Sequence, residues 1–487
     1  MSTWHYAACD LGAESGRVII GTLADGKLTL DEIHRFPTGA SRVAGTLRWN
    51  ILRIFEEIKT GLRSAARKYP EIVSVSVDSW GVDYVYFRAD EPLVALPFQY
   101  RDSRTDACYS EALKADSELI FSETGIQFMH INTLYQMMDD TANRRAVVGI
   151  SDQFLTIADY FNYLLSGVAR NEESLASTTQ IYNPAKRAWS SRLIDHYHLE
   201  RRVFPEVVPS GTLLGPIRPE IGLANATVVA GCSHDTAASV AAVPAREGDD
   251  WAYLSSGTWS LAGVELEKPL INDAARTANF TNEVGYGGSI RFLKNISGLW
   301  IIQECRRNWQ QLGQEFSYAE ISHLASKAAP LRSIIHPNDS RFLKPDDMVA
   351  KVQAFCRETN QPVPETTGEI ARTIYESLAL LYAHSLDVLE KLTGRQINTL
   401  HIVGGGSQSL LLNQLTANAT GRTIIAGPVE STAAGNILVQ ALANGHLNSL
   451  AELRETVRAS FPTQTFTPTD NDSWQAATAR FSKLTHQ

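Results

Sequence analysis

Three stretches of the sequence place carboxylates beside glycine or small hydroxyl residues, a combination suited to phosphate chemistry. The first is Asp10-Leu11-Gly12-Ala13-Glu14-Ser15-Gly16-Arg17. A turn of small residues points backbone N–H groups into a concavity that suits phosphate oxygens, and Arg17 is placed to meet phosphate. Asp10 suits Mg²⁺, which keeps several waters and takes few carboxylates; the plainer reading is a loop-capping carboxylate, with Arg17 a surface strand residue. The second stretch is Ser233-His234-Asp235-Thr236. A hydroxyl attacking a γ-phosphorus loses a proton, and Asp235 is read either as the group that accepts it or as a helix cap. In the third, Asp78-Ser79-Trp80-Gly81-Val82-Asp83, Gly81 would let a polyol approach the backbone closely, although a simple turn explains it equally well. Asp78 and Asp83 stand as reserve candidates for the base.

Two further glycine loops, Ser255-Ser256-Gly257-Thr258 and Gly404-Gly405-Gly406-Ser407, complete the set. Any one glycine loop is most simply a turn. Their chemistry is complementary, however. A small-residue hairpin opening each half suggests a nucleotide clamped between two related domains, and a triple glycine would let an adenosine lie flat on backbone. The other eleven histidines show no His-x-x-His or Glu-x-x-His spacing and read as structural or surface residues. Trp80, Trp259 and Trp300 read as core, and the acidic pairs Glu56-Glu57 and Asp139-Asp140 as solvated faces.

The elements that must position these residues are legible from periodicity. Tyr6 to Leu11 is an apolar run, Arg17 to Leu23 resumes it after the glycine turn, and Lys27 to Leu30 adds a third strand. Strand, glycine loop, strand excludes the dinucleotide-binding and P-loop readings, which need a helix after the glycines. A helix is expected over about 50–68, then a buried strand from Ile72 to Val77 that runs into Asp78. Residues 105–200 read as mostly helical with short loops, and Ala226 to Gly231 as a strand leading into Cys232. After a polar boundary at Pro244 to Asp250 the opening theme recurs, with strands at Trp251 to Ser255 and Trp259 to Val264 around a small-residue turn. This is an internal structural repeat and implies domains at 1–244 and 245–487. Thr366 and Glu369 form a capping pair for a long helix that Gly394 ends. A strand from Thr399 to Val403 then enters the triple glycine, and a helix begins at Leu410.

Bulk composition excludes several classes. The 487 residues are 44% hydrophobic and 20% charged with a net charge of −9, ordinary for a globular chain of several domains. No basic stripe with interleaved aromatics is present, so no nucleic-acid partner is expected. Five dispersed cysteines fit reduced thiols rather than a disulfide framework. The N-terminus lacks a signal-peptide pattern, and no apolar run approaches the roughly 20 residues that span a bilayer. The expectation is a soluble, cytoplasmic protein without a membrane partner, a monomer or small homo-oligomer.

Taken together, the segments from Asp10 to Arg17, Asp78 to Asp83, Tyr100 to Thr105, Ser233 to Thr236, Leu254 to Ser260 and His401 to Gly406 resemble the FGGY carbohydrate-kinase family. Within it the likeness is to members acting on L-rhamnulose, in register to about Pro428. The resemblance implies an α/β fold of two actin-like (ribonuclease-H-like) domains with an active-site cleft between them. It implies transfer of the γ-phosphoryl group of ATP to the C1 hydroxyl of L-rhamnulose, with Mg²⁺ as the accompanying metal. Carried over by motif, Ala13, Glu14, Ser15, Gly16 and Arg17 hold ATP phosphates, as does Thr258. Gly405 supports the adenosine, with Gln303 also on the nucleotide side. Gly81, His234, Asp235, Thr236 and Asn295 bind the sugar, and Asp235 is the base. Glu14 departs from the family pattern, standing where relatives can carry a small hydroxyl residue, so a contact there is a backbone one. Thr416 and Thr420 stand where some relatives carry cysteines, which removes any shared disulfide. The competing readings are a kinase of another ketose (L-fuculose, L-ribulose or D-xylulose) and a non-catalytic actin-like ATPase. The latter has no use for a carboxylate aimed at an acceptor hydroxyl.

Overall fold

The computed structural model describes residues 3–223, 225–470 and 472–485. Two compact units are present. The first comprises the chain up to Pro244 with Glu265–Phe292 and Ser431–Ser460; the second comprises Ala245–Val264, Leu293–Glu430 and the chain from Phe461.

In the first unit, β1 (Thr3–Leu11), β2 (Ser15–Ala24) and β3 (Lys27–Pro37) form the expected antiparallel meander. From Tyr6 onward β1 is buried on both faces, so its side chains do not alternate with polar ones. β4 (Ile72–Ser79) joins it in parallel, and β5 (Thr227–Ala230) joins β4 in parallel. The strand order is β3-β2-β1-β4-β5, with Thr212–Pro216 at the edge. The Ile51–Lys68 helix buries Ile51, Ile54, Ile58, Leu62 and Ala65, a single stripe at helical spacing. It lies so close to the sheet that a Cβ on its Gly61 would come within 2.4 Å of Val18. The Ser431–Ala443 helix approaches Gly21, where a Cβ would stand 2.5 Å from Ile437. Val18 and Gly21 are an odd number of residues apart on one strand, so the two helices cover opposite faces of the sheet.

The second unit repeats the plan. β6 (Trp251–Ser256) and β7 (Trp259–Leu266) form a hairpin, and β8 (Thr399–Val403) pairs with β6 in parallel. β9 (Thr423–Ala426) pairs with β8 in parallel. With the strand Ile290–Ser297 beyond β7, the order from that strand through β7, β6, β8 and β9 matches that of the first unit. This is the ribonuclease-H-like arrangement of an actin-like, two-domain α/β fold. The long helix runs from Thr367 to Thr393 with a complete capping box between Thr366 and Glu369. Gly394 ends it at φ +67°, a backbone conformation glycine adopts freely.

The compact units are not contiguous in sequence: the Ser431–Ala443 helix buries its small-residue face against the Asp235–Ala241 helix of the first unit. There a Cβ on Gly435 would sit 1.8 Å from the Ala238 carbonyl oxygen. The pair Asp139-Asp140 is not a solvated face. Both residues are buried, Arg104 Nη1 donates to them at 2.9 and 2.7 Å, and the Tyr84 hydroxyl donates to Asp140. Residues 105–200 are mainly helical as expected, but short two-residue strands at Asn171–Glu172 and Tyr182–Asn183 interrupt them. All five cysteines are free thiols.

Candidate functional site

In the first unit the register of the parallel strands does the assembling. β1 and β4 pair with Asp10 opposite Asp78, and the antiparallel β1–β2 register sets Arg17 opposite Asp10. Arg17 donates to the Asp10 carboxylate. At the end of β4, Ser79 bridges to His234, and the Ser79 N–H donates to the Ser233 carbonyl at 2.9 Å. This places His234, Asp235 and Thr236 beside the two strand-end carboxylates. His234 is the N-cap residue of the Asp235–Ala241 helix, so Asp235 is not the cap. Its Oδ1 accepts from the Thr236 N–H at 2.5 Å and from the Thr236 hydroxyl at 3.1 Å. The surrounding protein, and after it the charge of Asp10, push Asp235 up to about 7. A base with that affinity exchanges a proton readily near neutral pH.

Asp78 is fully buried. Burial, with the Asp10 charge next to it, holds its carboxyl well above the usual range. Asn436 Nδ2 donates to its Oδ2 at 2.6 Å, while Oδ1 is buried without a hydrogen-bond partner. Asp83 is fully committed elsewhere. Trp49 and Trp80 donate their indole N–H groups to it at 2.6 and 3.1 Å, Gln136 donates at 3.1 Å, and the Tyr100 N–H at 3.2 Å. With those donors it anchors the aromatic core and is set aside as a reserve base. Gly81 opens a three-residue turn in which the Asp83 N–H returns to the Gly81 carbonyl at 2.9 Å. Val82 sits at its centre at φ +67°, a strained conformation for a β-branched residue. Thr133 and Gln136 donate to the Val82 carbonyl at 2.6 and 3.2 Å and hold the turn in place. A Cβ on Gly81 would lie 3.0 Å from Thr178 Oγ1, so packing against Thr178 explains this glycine as well as ligand approach does.

The loop after β1 is braced from β3. The Thr38 hydroxyl donates to the Gly12 carbonyl at 2.6 Å, and its N–H donates to the Glu14 carbonyl at 3.2 Å. Ala13 and Ser15 are half-buried and Glu14 is exposed. Gly16 is required by Phe36, whose ring would stand 2.6 Å from a Cβ.

A buried carboxylate pair, not foreseen from the sequence, supports the 232–235 segment. Glu172 accepts from the Ser174 hydroxyl, from the Ser210 hydroxyl at 2.5 Å and from the Ser233 N–H at 3.1 Å. Asp159 accepts from the Ser233 hydroxyl at 2.8 Å and the Thr156 hydroxyl at 2.6 Å. The Ser174 oxygen in turn accepts from the His234 N–H at 3.1 Å. Burial, with Asp159 next to it, pushes Glu172 up to about 8. The folded chain therefore keeps a proton that the unfolded chain releases near the ordinary glutamate value. The stabilisation is complete at acid pH and is lost as pH rises through about 8. Glu172→Gln is expected to keep activity and to flatten the fall in melting temperature that the wild type shows between about pH 5 and about 8. Glu172→Ala strands buried donors and is expected to lose about 2 kcal/mol or more in denaturant melts at any pH. Equal behaviour of the two variants would show that the network does not hold the segment.

The remaining residues singled out in the sequence lie in the second unit. The N–H groups of Leu299 and Trp300, where the Trp300–Gln311 helix begins, dock on the carbonyls of Gly257 and Thr258 at 2.9 and 3.1 Å. Gln303 is one turn further along, its Oε1 buried without a hydrogen-bond partner. In the triple glycine, Gly404 adopts φ +83°, and a Cβ on Gly406 would stand 2.0 Å from Ser256 Oγ. Those two glycines let the loop lie against β6. At Gly405 a Cβ would meet nothing within 4 Å, so its face is open. Asn295 is half-buried on the Ile290–Ser297 strand.

Among the described residues no three or more His, Cys, Asp or Glu side chains form a cage for a metal ion. The carboxylate of Asp10 at the end of β1 fits Mg²⁺, which binds through one or two carboxylates and keeps its waters. The described residues contain no helix long and apolar enough to cross a membrane. Besides Glu172 and Asp159, sequence reasoning did not find Asn436, Arg291 or Glu283, and no local motif marks any of them.

Comparison with known proteins gives a consistent result. Residues 5–242 match the N-terminal domain of the FGGY family of carbohydrate kinases, and residues 252–444 match its C-terminal domain. The chain is 42% identical over 476 residues to a rhamnulokinase of Enterococcus faecalis, covering 96% of this chain and 95% of that protein. It is 40% identical over 485 residues to a rhamnulokinase of Bacteroides thetaiotaomicron, covering 98% of each. The fold is similar to a gluconate kinase from Lactobacillus acidophilus (TM-score 0.83, 15% identity, 100% of this chain and 98% of that one). It is also similar to Plasmodium falciparum glycerol kinase with ADP (TM-score 0.80, 13% identity, 99% and 97%).

Proposed function

We propose that this chain, which belongs to the FGGY family of carbohydrate kinases, transfers the γ-phosphoryl group of ATP to the C1 hydroxyl of L-rhamnulose. The products are L-rhamnulose 1-phosphate and ADP. The observation that carries the choice of sugar is the identity of 40% or more to rhamnulokinases over nearly the whole chain. The site supports the chemistry.

Ionised Asp235 accepts the C1 hydroxyl proton as that oxygen bonds to the γ-phosphorus. The bond from the γ-phosphorus to the bridging oxygen breaks, its electron pair leaves with ADP, and the proton stays on Asp235. His234, Thr236 and the turn at Gly81, together with Asn295, bind the sugar. Ala13, Glu14 (through its backbone), Ser15, Gly16 and Arg17 bind phosphate oxygens, as does Thr258. The open face of Gly405 takes the adenosine, with Gln303 on the nucleotide side. Asp10 would hold Mg²⁺, chiefly through water, and the ion would supply charge neutralisation to the triphosphate. A cytoplasmic location accords with ATP as substrate and with five free thiols.

The test is a coupled ADP-release assay with L-rhamnulose, L-fuculose, D-xylulose and glycerol side by side. The expected result is a kcat/KM for L-rhamnulose about tenfold or more above the others, the discrimination that one or two lost hydrogen bonds produce. An equal or higher value for L-fuculose or glycerol would overturn the choice of sugar and leave the kinase class standing.

A further inference from the structure

We propose that Arg291 fixes His234 as a neutral imidazole that offers its Nε2–H to the sugar, which makes Arg291 a positioning residue for substrate recognition. This rests on the reading that His234 meets the ketose. Arg291 has no exposed surface and belongs to the first unit. Its Nη2 lies 3.0 Å from His234 Nδ1. A guanidinium donates and never accepts, and it stays charged at any physiological pH. A proton on Nδ1 would face an N–H group, so Nδ1 carries its lone pair and the imidazole proton resides on Nε2.

The guanidinium is itself anchored. Its Nε and Nη2 each lie 3.3 Å from the Val284 carbonyl, and Glu283 Oε2 lies 3.1 Å from Nη2. Glu283 is the group that could reverse the assignment by accepting from Nδ1–H, but its Oε2 is 3.5 Å from Nδ1 and nearer to Arg291. Asp235 is the remaining charged group at the ring, 3.5 Å from Nε2, too far for a strong hydrogen bond. Burial and the Arg291 charge both pull His234 well below its ordinary value, so the ring stays neutral near pH 7. Two consequences follow. His234 recognises an acceptor, a ketose carbonyl or the lone pair of a hydroxyl. A neutral ring also adds no second positive charge to that of Arg291, which already lowers the proton affinity of Asp235.

Long-range proton–nitrogen correlation spectra of protein labelled with ¹⁵N-histidine read the tautomer directly, with His234 identified by the resonance missing from His234→Gln. The expected signature is a protonated Nε2 and an unprotonated Nδ1, unchanged from about pH 5.5 to about 8. An Nδ1–H tautomer, or a titration inside that range, would overturn the proposal. Arg291→Gln supplies an amide able to accept from Nδ1–H. In this variant the signature should become mixed, and KM for L-rhamnulose should rise about tenfold with kcat within about threefold. Arg291→Lys keeps a cationic donor and should restore both readouts in part. A folded Arg291→Gln with wild-type KM and tautomer would also overturn the proposal. If Arg291→Gln does not fold, the wild-type spectrum decides alone. If L-rhamnulose is not the substrate, the tautomer measurement is unaffected, so the two readings fail separately.

Discussion

Asp235→Asn is expected to lower kcat by about 10²–10⁴-fold while the calorimetric Kd for L-rhamnulose stays within a few fold. Asn retains the shape of Asp and one acceptor oxygen, so the hydrogen bonds from the Thr236 N–H and hydroxyl persist. It cannot take up the hydroxyl proton. Because Asp235 must be ionised to act and is pushed up to about 7, the wild-type rate should fall as pH drops below about 7. The residual rate of the Asn variant should be flat over the same range. A purely structural role predicts a different pair of results, an active variant and an unchanged pH profile. A fall in kcat of less than about tenfold would remove Asp235 as the base. Asp78 would then be the next candidate, since the hydrogen bonds around Asp83 hold it in the core.

Gly435→Ala is expected to destabilise the protein by about 3 kcal/mol, at the upper end of the range for overpacking. Intrinsic helix propensity gives the opposite sign, because alanine is favoured over glycine inside a helix by about 1 kcal/mol. The deciding contact is the Ala238 carbonyl, 1.8 Å from the new methyl carbon and part of a backbone that cannot rotate away. The helix must therefore move outward and take Asn436 with it, loosening the hydrogen bond to Asp78. Denaturant melts and kcat should fall together. Gly405→Ala is the control, since its methyl meets nothing within 4 Å and should change stability by less than about 0.5 kcal/mol. A Gly435→Ala protein as stable as wild type would show that the two helices do not pack at this distance.

Local physics carried much of the architecture into the sequence. The apolar runs on either side of Gly12 to Gly16 have only one short solution, a hairpin, and the recurrence at Trp251 to Val264 gave the internal repeat. Thr366, Glu369 and Gly394 bounded the long helix because capping groups act within a few residues of one another. Asp10 and Asp78 were visible as carboxylates at the ends of strands, and Asp235 as one just past a strand. The sequence could not say that β1 and β4 pair with the first two side by side, because strand register is a long-range choice made by the whole sheet. The tertiary structure alone also decided which groups tune those carboxylates. Asn436 reaches Asp78 from 358 positions away, and Arg291 meets His234 across 57. Periodicity and capping report on neighbours along the chain. The proton affinities of Asp235, Glu172 and His234 depend on burial and on charges that folding brings from elsewhere, so they became readable only once the chain had closed around them.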